Sequence, residues 1–282
     1  MIVWIDGELL DIRDARISPL DRGLVVGDGV FETLRVYEGV PFAWRRHFAR
    51  LAHSAAGLGL ELPDRDRLRD AADAVIAANE LRDARLRLTV TGGEGPPGSS
   101  RAGAIPTAFV VAVPFRPAAP TTRVVVTPWT RNERSAVAGL KTISYAANVR
   151  ALAYAEERGA EEALFANTAG NLCEATGSNV FVVHDGVAMT PPASAGCLLG
   201  VTRGLLLELA PNCGVEAREA DIPMDELASV SEMFLTSTTR EVQAVSAVLD
   251  PPRDDRALTA PGPIASCLAQ AFRDLVASDP DP

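Results

Sequence analysis

The chain has 282 residues, 47% of them hydrophobic, and a formal net charge of −10. This length supports one large domain or two smaller ones with cores of their own. The acidic excess argues against binding to nucleic acid or to an anionic membrane surface, because no basic surplus is present to neutralise phosphates. No run of about 18 apolar residues occurs, which argues against a transmembrane helix.

The N-terminus and the cysteines bear on the cellular compartment. Residues 1–7 predict a strand and a turn, not a signal peptide, since no basic segment precedes an apolar run. The cysteines are scattered without a C-x-x-C pair, which argues against a disulfide framework and a zinc site. A cytoplasmic protein without a bound metal is therefore expected. The four cysteines are Cys173, Cys197, Cys213 and Cys267.

Strands and helices are mixed in the first part of the chain. Leu86, Leu88 and Val90 alternate with polar residues, a pattern typical of a half-buried strand. Residues 92–103 are rich in Gly, Pro and Ser and predict a loop. By the same signals, strands are expected at 4–10 with a turn at Asp6–Gly7, 30–37, 86–90 and 107–113, and helices around 48–58 and 68–76.

Three prolines in 114–120 prevent this segment from continuing a strand or a helix, which predicts an interdomain linker at 114–122. The expected domains are 1–113 and a larger one at 123–282. Several strands with helices between them indicate an α+β fold. The last four residues are expected to fray. In the second part, strands are expected at 123–127, 163–166, 179–184 and 232–237, and helices at about 146–158, 201–210 and 262–277.

Lys141 is the single lysine in a chain with 27 basic residues. Arginine cannot replace lysine in imine chemistry, because its guanidinium stays protonated and delocalised. A lone lysine is also an ordinary surface residue, so its meaning depends on the segments that accompany it.

Those segments form an ordered series. Lys141 ends the segment A-G-L-K, and Glu174 opens E-A-T-G-S-N-V-F. The others are D-R-G…G-D-G-V-F-E at 21–32, H-F-A-R-L at 47–51, G-V-T-R at 200–203 and S-T-T-R-E-V at 237–242. Together they resemble the class IV aminotransferases, the fold-type IV family that binds pyridoxal 5′-phosphate (PLP). The resemblance covers essentially the whole chain.

That family includes branched-chain aminotransferases, D-amino-acid aminotransferases and 4-amino-4-deoxychorismate lyases. Membership implies a two-domain α+β fold similar to D-amino-acid aminotransferase, in which the larger C-terminal domain binds PLP. It also implies a homodimer.

The resemblance further implies a role for each matching residue. Lys141 would hold PLP as a Schiff base and then transfer the proton between the substrate α-carbon and the cofactor. Glu174 would pair with the pyridine nitrogen and keep it protonated, so that the ring becomes an electron sink. Arg50 would contact the phosphate, together with the first turn of the helix at 201–210. The other implied cofactor contacts are Tyr145, Ser178, Asn179, Val201, Thr202, Ser237 and Thr238.

The substrate side departs from the patterns of the subfamilies. D-amino-acid aminotransferases carry a tyrosine where this chain has Phe31 and a carboxylate-binding arginine where it has Gly92. Branched-chain enzymes carry F-E-G-x-R where this chain has F-E-T-L-R. A-G-L-K is similar to the lyases, whereas S-T-T-R-E-V is similar to the D-amino-acid group. The residues assigned to the substrate are Phe31, Arg35, Arg131, Thr239 and Arg240, with the three arginines as candidates for its carboxylate.

The leading expectation is a transaminase that moves an amino group between an amino acid, of D type in the first instance, and a 2-oxo acid. The alternative is a 4-amino-4-deoxychorismate lyase, which produces p-aminobenzoate and pyruvate. A non-catalytic PLP-binding protein is the alternative from another class.

Overall fold

A computed structural model of the protein describes residues 1–251 and 255–282. The chain forms two compact units. The first comprises Met1–Arg116, Leu140–Tyr145 and Pro280–Pro282, and the second comprises Pro117–Gly139 and Ala146–Asp279.

The first crossing between the units lies after Arg116, inside the proline-rich segment 114–122. The bounds differ from the sequence expectation at two places, because 140–145 and 280–282 group with the first unit and not with the second. Both segments are held there by backbone hydrogen bonds to residues far away in sequence, which local sequence patterns do not report.

The first unit is built on a six-stranded sheet in which each strand pairs with its neighbours antiparallel. The strand order is β2-β1-β6-β5-β3-β4. The predicted strand at 4–10 is a hairpin, because Asp6 and Gly7 both have positive φ and close a two-residue turn. The elements are β1 (Ile2–Ile5), β2 (Glu8–Asp11), α1 (Arg22–Val26), β3 (Gly29–Tyr37), β4 (Val40–Pro41), α2 (Trp44–Leu58), α3 (Arg65–Ala78), β5 (Ala84–Thr91) and β6 (Thr107–Pro114).

Alternation along β5 confirms the predicted half-buried strand. Leu86 and Leu88 are buried, whereas Arg85 and Arg87 are exposed. Apolar residues of α2 and α3 pack with the buried face of this sheet in one hydrophobic core, as the helical spacing of the apolar residues predicts. The core thus leaves the alternate residues of β5 available for other contacts.

The C-terminal tail is ordered, and the expectation that it frays is wrong. The helix α2 begins after Ala43, which supplies no side-chain cap. The tail provides partners there instead: Pro280 O accepts from Ala43 N at 2.8 Å, and the Asp281 carboxylate accepts from Arg45 N at 2.9 Å. Unpaired N–H groups at a helix start need acceptors, and here the chain end supplies one.

The second unit is built on a mixed sheet, for which nine strands lie in the described residues. Its order is β12-β11-β10-β13-β14-β7-β8-β9, with β15 beside β14. The pairs β14·β7, β7·β8 and β11·β12 are parallel. The elements are β7 (Thr121–Arg131), α4 (Ala146–Glu156), β8 (Glu162–Asn167), β9 (Leu172–Ala175), β10 (Asn179–His184), β11 (Val187–Thr190), α5 (Val201–Leu209), β12 (Ala217–Glu219), β13 (Glu232–Ser237), β14 (Glu241–Leu249), β15 (Arg256–Ala257) and α6 (Pro263–Ser278).

Strand β14 is long and central, yet no strand is predicted for it. Its pairing with β7 shifts register between Val245 and Ala247, and its buried and half-buried residues do not alternate. A bulge of this kind interrupts the period of two by which strands are recognised in sequence. The predicted α+β class is confirmed by the two sheets and their helices. No helix among the described residues is both long and apolar enough to cross a membrane.

Candidate active site

Lys141 lies in a short segment of the first unit that pairs with β3. Its backbone carbonyl accepts a hydrogen bond from Phe31 N at 3.0 Å, and its backbone N–H donates to Ser54 Oγ at 3.0 Å. Ile143 N donates to Gly29 O at 2.9 Å. Ser54 is fully buried in α2. A strand and a helix together therefore fix the backbone that carries the amine.

Two glycines of the G-D-G turn make room for this segment. A Cβ at Gly27 would lie 2.4 Å from Ser144 Oγ. A Cβ at Gly29 would lie 2.8 Å from the Ile143 side chain and 2.8 Å from Val90 O. The glycines are thus a packing requirement of the lysine segment.

Gly29→Ala is expected to lower the free energy of unfolding by about 1–3 kcal/mol, the usual effect of overpacking. The backbone oxygen of Val90 cannot move without disturbing the β3·β5 pairing. Denaturant unfolding measures the change. Gly204→Ala in α5 is the matched control, because a Cβ there meets no atom within 4 Å. Equal stability of Gly29→Ala and the wild type would contradict this packing.

Two cationic side chains lie against one aromatic ring beside the lysine segment. Lys141 Nζ lies 4.3 Å from the centroid of the Phe31 ring, and Arg87 Cζ lies 3.7 Å from the same centroid. Tyr145 meets Phe31 edge to face, with the ring centroids 5.2 Å apart. Aromatic faces attract cations. An amine, a guanidinium and a phenol ring therefore all contact the Phe31 ring.

Arg87 was not among the residues singled out from the sequence. Its alternation with Leu86 and Leu88 identifies it only as a residue on the polar face of a strand. The pairing of β3 with β5 sets Phe31 opposite Thr89 and Thr33 opposite Arg87, which makes Arg87 a diagonal neighbour of Phe31. This register depends on strand pairing, for which the sequence carries no direct signal.

Arg50 and Glu32 form a bidentate pair in the same unit. Arg50 Nε lies 2.7 Å from Glu32 Oε1, and Arg50 Nη2 lies 2.8 Å from Oε2. His47 Nδ1 lies 2.7 Å from the same Oε2. The F-E and H-F-A-R-L segments therefore meet in space through three of their side chains.

Arg35 does not join the group around Lys141. Its guanidinium lies 3.4 Å from the centroid of the Phe115 ring, donates to Val36 O and pairs with Asp83. This set of partners makes Arg35 a packing residue near the other end of β3, and its assignment to a substrate carboxylate stays a prediction.

A carboxylate explains why no side chain fits at position 92. A Cβ at Gly92 would lie 2.5 Å from Asp28 Oδ2. The Asp28 carboxylate is in turn held by Arg22 Nε at 3.0 Å and by Arg101 Nη2 at 2.6 Å. The hydrogen bond from Arg101 is the main reason why the pKa of Asp28 lies below its usual value. The Asp28 carboxylate, held in place by two arginines, therefore occupies the space that a side chain at 92 would need.

In the second unit, Glu174 lies on β9 between a hydrogen-bond donor and a cation. Leu198 N donates to Glu174 Oε2 at 3.0 Å, and Arg131 Nε lies 3.4 Å from Oε1. Arg131 also lies over the Phe165 ring, 4.3 Å from its centroid. The charge of Arg131 is balanced by Glu174, and its assignment to the substrate carboxylate stays a prediction.

Asn179 connects the segment that Glu174 opens to the turn before α5. Its Nδ2 donates to Leu198 O at 2.6 Å, and a Cβ on Gly200 would lie 2.0 Å from its Oδ1. The E-x-x-x-S-N and G-V-T-R segments are therefore locked together through Leu198. These contacts give Asn179 the task of positioning the start of α5.

The start of α5 has the features of an anion site. Its N-cap residue, Gly200, makes no side-chain capping hydrogen bond, and Val201 and Thr202 follow as buried residues of the first turn. Unpaired amides and the helix dipole favour an anion there. In the described part of the chain, the buried hydroxyl of Ser178 has no hydrogen-bond partner, so it can still take one.

The turn from β13 to β14 holds the remaining predicted residues. Ser237 Oγ accepts from Arg240 N at 3.1 Å, and Thr238 and Thr239 are half-buried in the turn. Arg240 reaches the buried Glu162 at 3.4 Å and donates to the Gln243 side chain. Arg240 therefore pairs within its own unit, and its assignment to a substrate carboxylate stays a prediction.

Comparisons with known proteins agree with this picture. The chain matches the family Amino-transferase class IV over residues 29–248. It is 33% identical to a putative branched-chain-amino-acid aminotransferase from Methanocaldococcus jannaschii, with 98% of this chain and 96% of that protein covered. It is 31% identical to a D-alanine aminotransferase from Bacillus licheniformis, with 99% and 98% covered.

A solved structure agrees as well. The branched-chain aminotransferase from Thermoproteus uzoniensis, crystallised with norvaline, superposes with a TM-score of 0.91 at 30% identity and covers 98% of this chain and 94% of its own. Family, fold and chain coverage confirm the resemblance and the fold-type IV class. The chain therefore belongs to the class IV aminotransferase family and is a PLP-dependent aminotransferase.

Proposed function

We propose that the protein transfers an amino group between a D-amino acid and a 2-oxo acid, and that Arg87 binds a carboxylate of the substrate beside Lys141. The observation that carries the placement of the substrate carboxylate is the pair of cations within 4.3 Å of the Phe31 ring centroid. An amino acid offers an anion for the guanidinium close to the nitrogen that must react at the lysine. Arg87 is exposed, so a carboxylate can reach it.

The side chains present fit PLP. Lys141 supplies the required primary amine, and the first turn of α5 with Thr202 supplies donors for a phosphate. The buried Ser178 hydroxyl, which has no partner in the described residues, supplies one more polar atom. Arg50 is the matching cation for the phosphate. Ser237, Thr238 and Tyr145 remain assigned to the cofactor by the family resemblance.

Each residue then has a defined task. When bound, PLP supplies an electron-withdrawing ring that makes the α-hydrogen of the substrate acidic. The Lys141 amine would take the proton from the α-carbon of the substrate and deliver it to the carbon on the other side of the amino nitrogen. The Glu174 carboxylate, held by Leu198 N and Arg131, keeps a proton on the ring nitrogen. Arg87 orients the substrate through its carboxylate.

Arg87→Ala is expected to raise KM for the amino acid at least tenfold, because one charge-assisted contact to a carboxylate contributes about 1.5–3 kcal/mol. Steady-state kinetics with varied amino acid and saturating 2-oxo acid measures the change. Arg85→Ala, on the same exposed face of β5, is the matched control and should leave KM unchanged. An unchanged KM in Arg87→Ala would remove Arg87 from the substrate.

Two observations support D-amino acids as substrates. The D-alanine aminotransferase from Bacillus licheniformis aligns with nearly the whole chain, and the segment S-T-T-R-E-V is similar to that group. A second candidate is an L-branched-chain aminotransferase. The similarity to the putative branched-chain-amino-acid aminotransferase from Methanocaldococcus jannaschii supports this candidate. The substrate region around Phe31 does not by itself select a hand.

A half-reaction separates these candidates. The holoenzyme is mixed with one amino acid and no 2-oxo acid, and the absorption of the cofactor is followed. The expected result is that D-alanine or D-glutamate alone converts the bound cofactor to its aminated form, which changes its absorption. Conversion only by L-leucine or L-glutamate would replace the proposal with the second candidate. Failure with every amino acid, together with p-aminobenzoate formed from 4-amino-4-deoxychorismate, would identify a lyase instead.

A further inference from the structure

A cluster of Glu32, His47 and Arg50 lies next to the lysine segment, and two of its members, Glu32 and His47, have no part in the chemistry described so far. The Glu32 side chain is 0% exposed and that of His47 is 2% exposed. Arg50 and His47 are three residues apart on α2, on the side that faces β3. Glu32 directly follows Phe31, whose N–H donates to Lys141 O. The cluster is thus built on the same strand that holds the lysine.

Four hydrogen bonds fix the carboxylate of Glu32, one from Thr33 N at 3.3 Å and three from side chains of α2. Each of its oxygens takes one nitrogen of the Arg50 fork, and Oε2 also meets His47 Nδ1. Burial opposes the ionisation of Glu32, but Arg50 and His47 outweigh it and hold its pKa well below the usual range. Burial lowers the pKa of His47. A neutral His47 therefore donates from Nδ1–H to an ionised Glu32.

Stability alone does not account for this arrangement. A buried ion pair loses its hydration, and well-packed apolar residues of similar volume are often equally stabilising. Phosphate affinity alone does not account for it either, since Glu32 offsets the positive charge of Arg50. What the cluster does supply is orientation: a bidentate pair fixes the plane of a guanidinium, and a third bond keeps the carboxylate from turning.

We propose that Glu32 and His47 are positioning residues, which hold the guanidinium of Arg50 in the one orientation that binds the phosphate of the cofactor. The inference rests on the role of Arg50 under the proposed function. Preorganised donors bind an anion better than mobile ones, because the cost of ordering them is met when the protein folds. If Glu32 orients Arg50, its removal should weaken phosphate binding. If Glu32 only offsets the charge of Arg50, its removal should strengthen phosphate binding.

The test compares PLP with pyridoxal, which lacks the phosphate. Apoenzyme is titrated with each aldehyde, and the dissociation constant of pyridoxal divided by that of PLP, the phosphate ratio, measures the contribution of the phosphate. In Glu32→Gln, which keeps the shape of the side chain, we expect PLP to bind at least tenfold more weakly and pyridoxal to change less than twofold. Tighter or unchanged binding of PLP would overturn the proposal, as would equal losses for both aldehydes.

Two histidine variants provide a graded comparison. The side-chain amide of His47→Asn can place its nitrogen where Nδ1 lies, so this variant should retain most of the phosphate ratio. His47→Leu removes the donor and should lower the ratio. Thermal unfolding of each apoenzyme reports folding separately. If the ratio and the unfolding temperature fall together in both variants, the role of His47 is structural and the proposal fails for His47.

Arg50→Ala distinguishes this inference from the function on which it rests. We expect Arg50→Ala to lower the ratio. Adding Glu32→Gln to Arg50→Ala should then cause no further change in the ratio. An unchanged ratio in Arg50→Ala would overturn the phosphate role of Arg50 and this inference with it. A lowered ratio in Arg50→Ala with no change in Glu32→Gln would overturn only the inference. Glu38→Gln, which breaks an exposed pair with Arg82, is the control and should change nothing.

Discussion

Lys141→Arg is expected to lower kcat by about 10³-fold or more, the upper part of the range for loss of a general acid–base group. The variant retains a positive charge over the Phe31 ring, where Lys141 Nζ lies 4.3 Å from the centroid. It loses the primary amine that links to the cofactor and moves the proton. Kinetics under saturating substrate measures the effect on chemistry separately from binding.

The composition of the chain allows a second test of the same residue, made on the wild-type protein. Lys141 is the only lysine, so borohydride reduction of the wild-type holoenzyme should add one cofactor to one peptide. The terminal amine of the chain is the other primary amine and serves as the internal control. Label on the terminal peptide, or a kcat within tenfold of the wild type in Lys141→Arg, would contradict the assignment.

Glu174→Gln is expected to lower kcat by about 10²- to 10³-fold, as for the loss of one preorganised electrostatic contact. The amide oxygen can still accept from Leu198 N, which donates to Glu174 Oε2 at 3.0 Å in the wild type. The variant therefore removes the charge and keeps the hydrogen bond from Leu198 N. The ring nitrogen then loses its anionic partner, and the substrate α-hydrogen becomes less acidic.

The spectrum of the bound cofactor and kcat should change together in Glu174→Gln, with a smaller change in KM. Glu157→Gln removes an exposed carboxylate that pairs with Arg150 and Arg158 on the surface, and both quantities should stay at the wild-type level. A Glu174→Gln enzyme with wild-type kcat would show that the carboxylate does not act on the ring.

The three arginine candidates show where sequence reasoning stops. Arg35, Arg131 and Arg240 are equivalent in sequence, since each is an arginine close to a family segment. The structure gives Arg35 an aromatic and carbonyl environment, pairs Arg131 with Glu174 and Arg240 with Glu162. What a guanidinium can bind depends on the groups that surround it, and those groups come from other strands and turns.

The sequence by itself determined the cofactor chemistry. A primary amine cannot be replaced by a guanidinium in imine chemistry, and the order of short segments around Lys141 and Glu174 identifies the family before any contact is known. Most helices and strands also follow from local periodicity, because burial of one face dictates the spacing of apolar residues.

Only the tertiary structure decided which side chains act together. The register of β3 with β5 brings Arg87 to Phe31, and the packing of α2 on β3 closes three hydrogen bonds around Glu32. The order of the C-terminal tail likewise depends on unpaired amides at the start of α2. Each of these contacts joins residues distant in sequence, and its partner is chosen by strand pairing and burial rather than by local propensity.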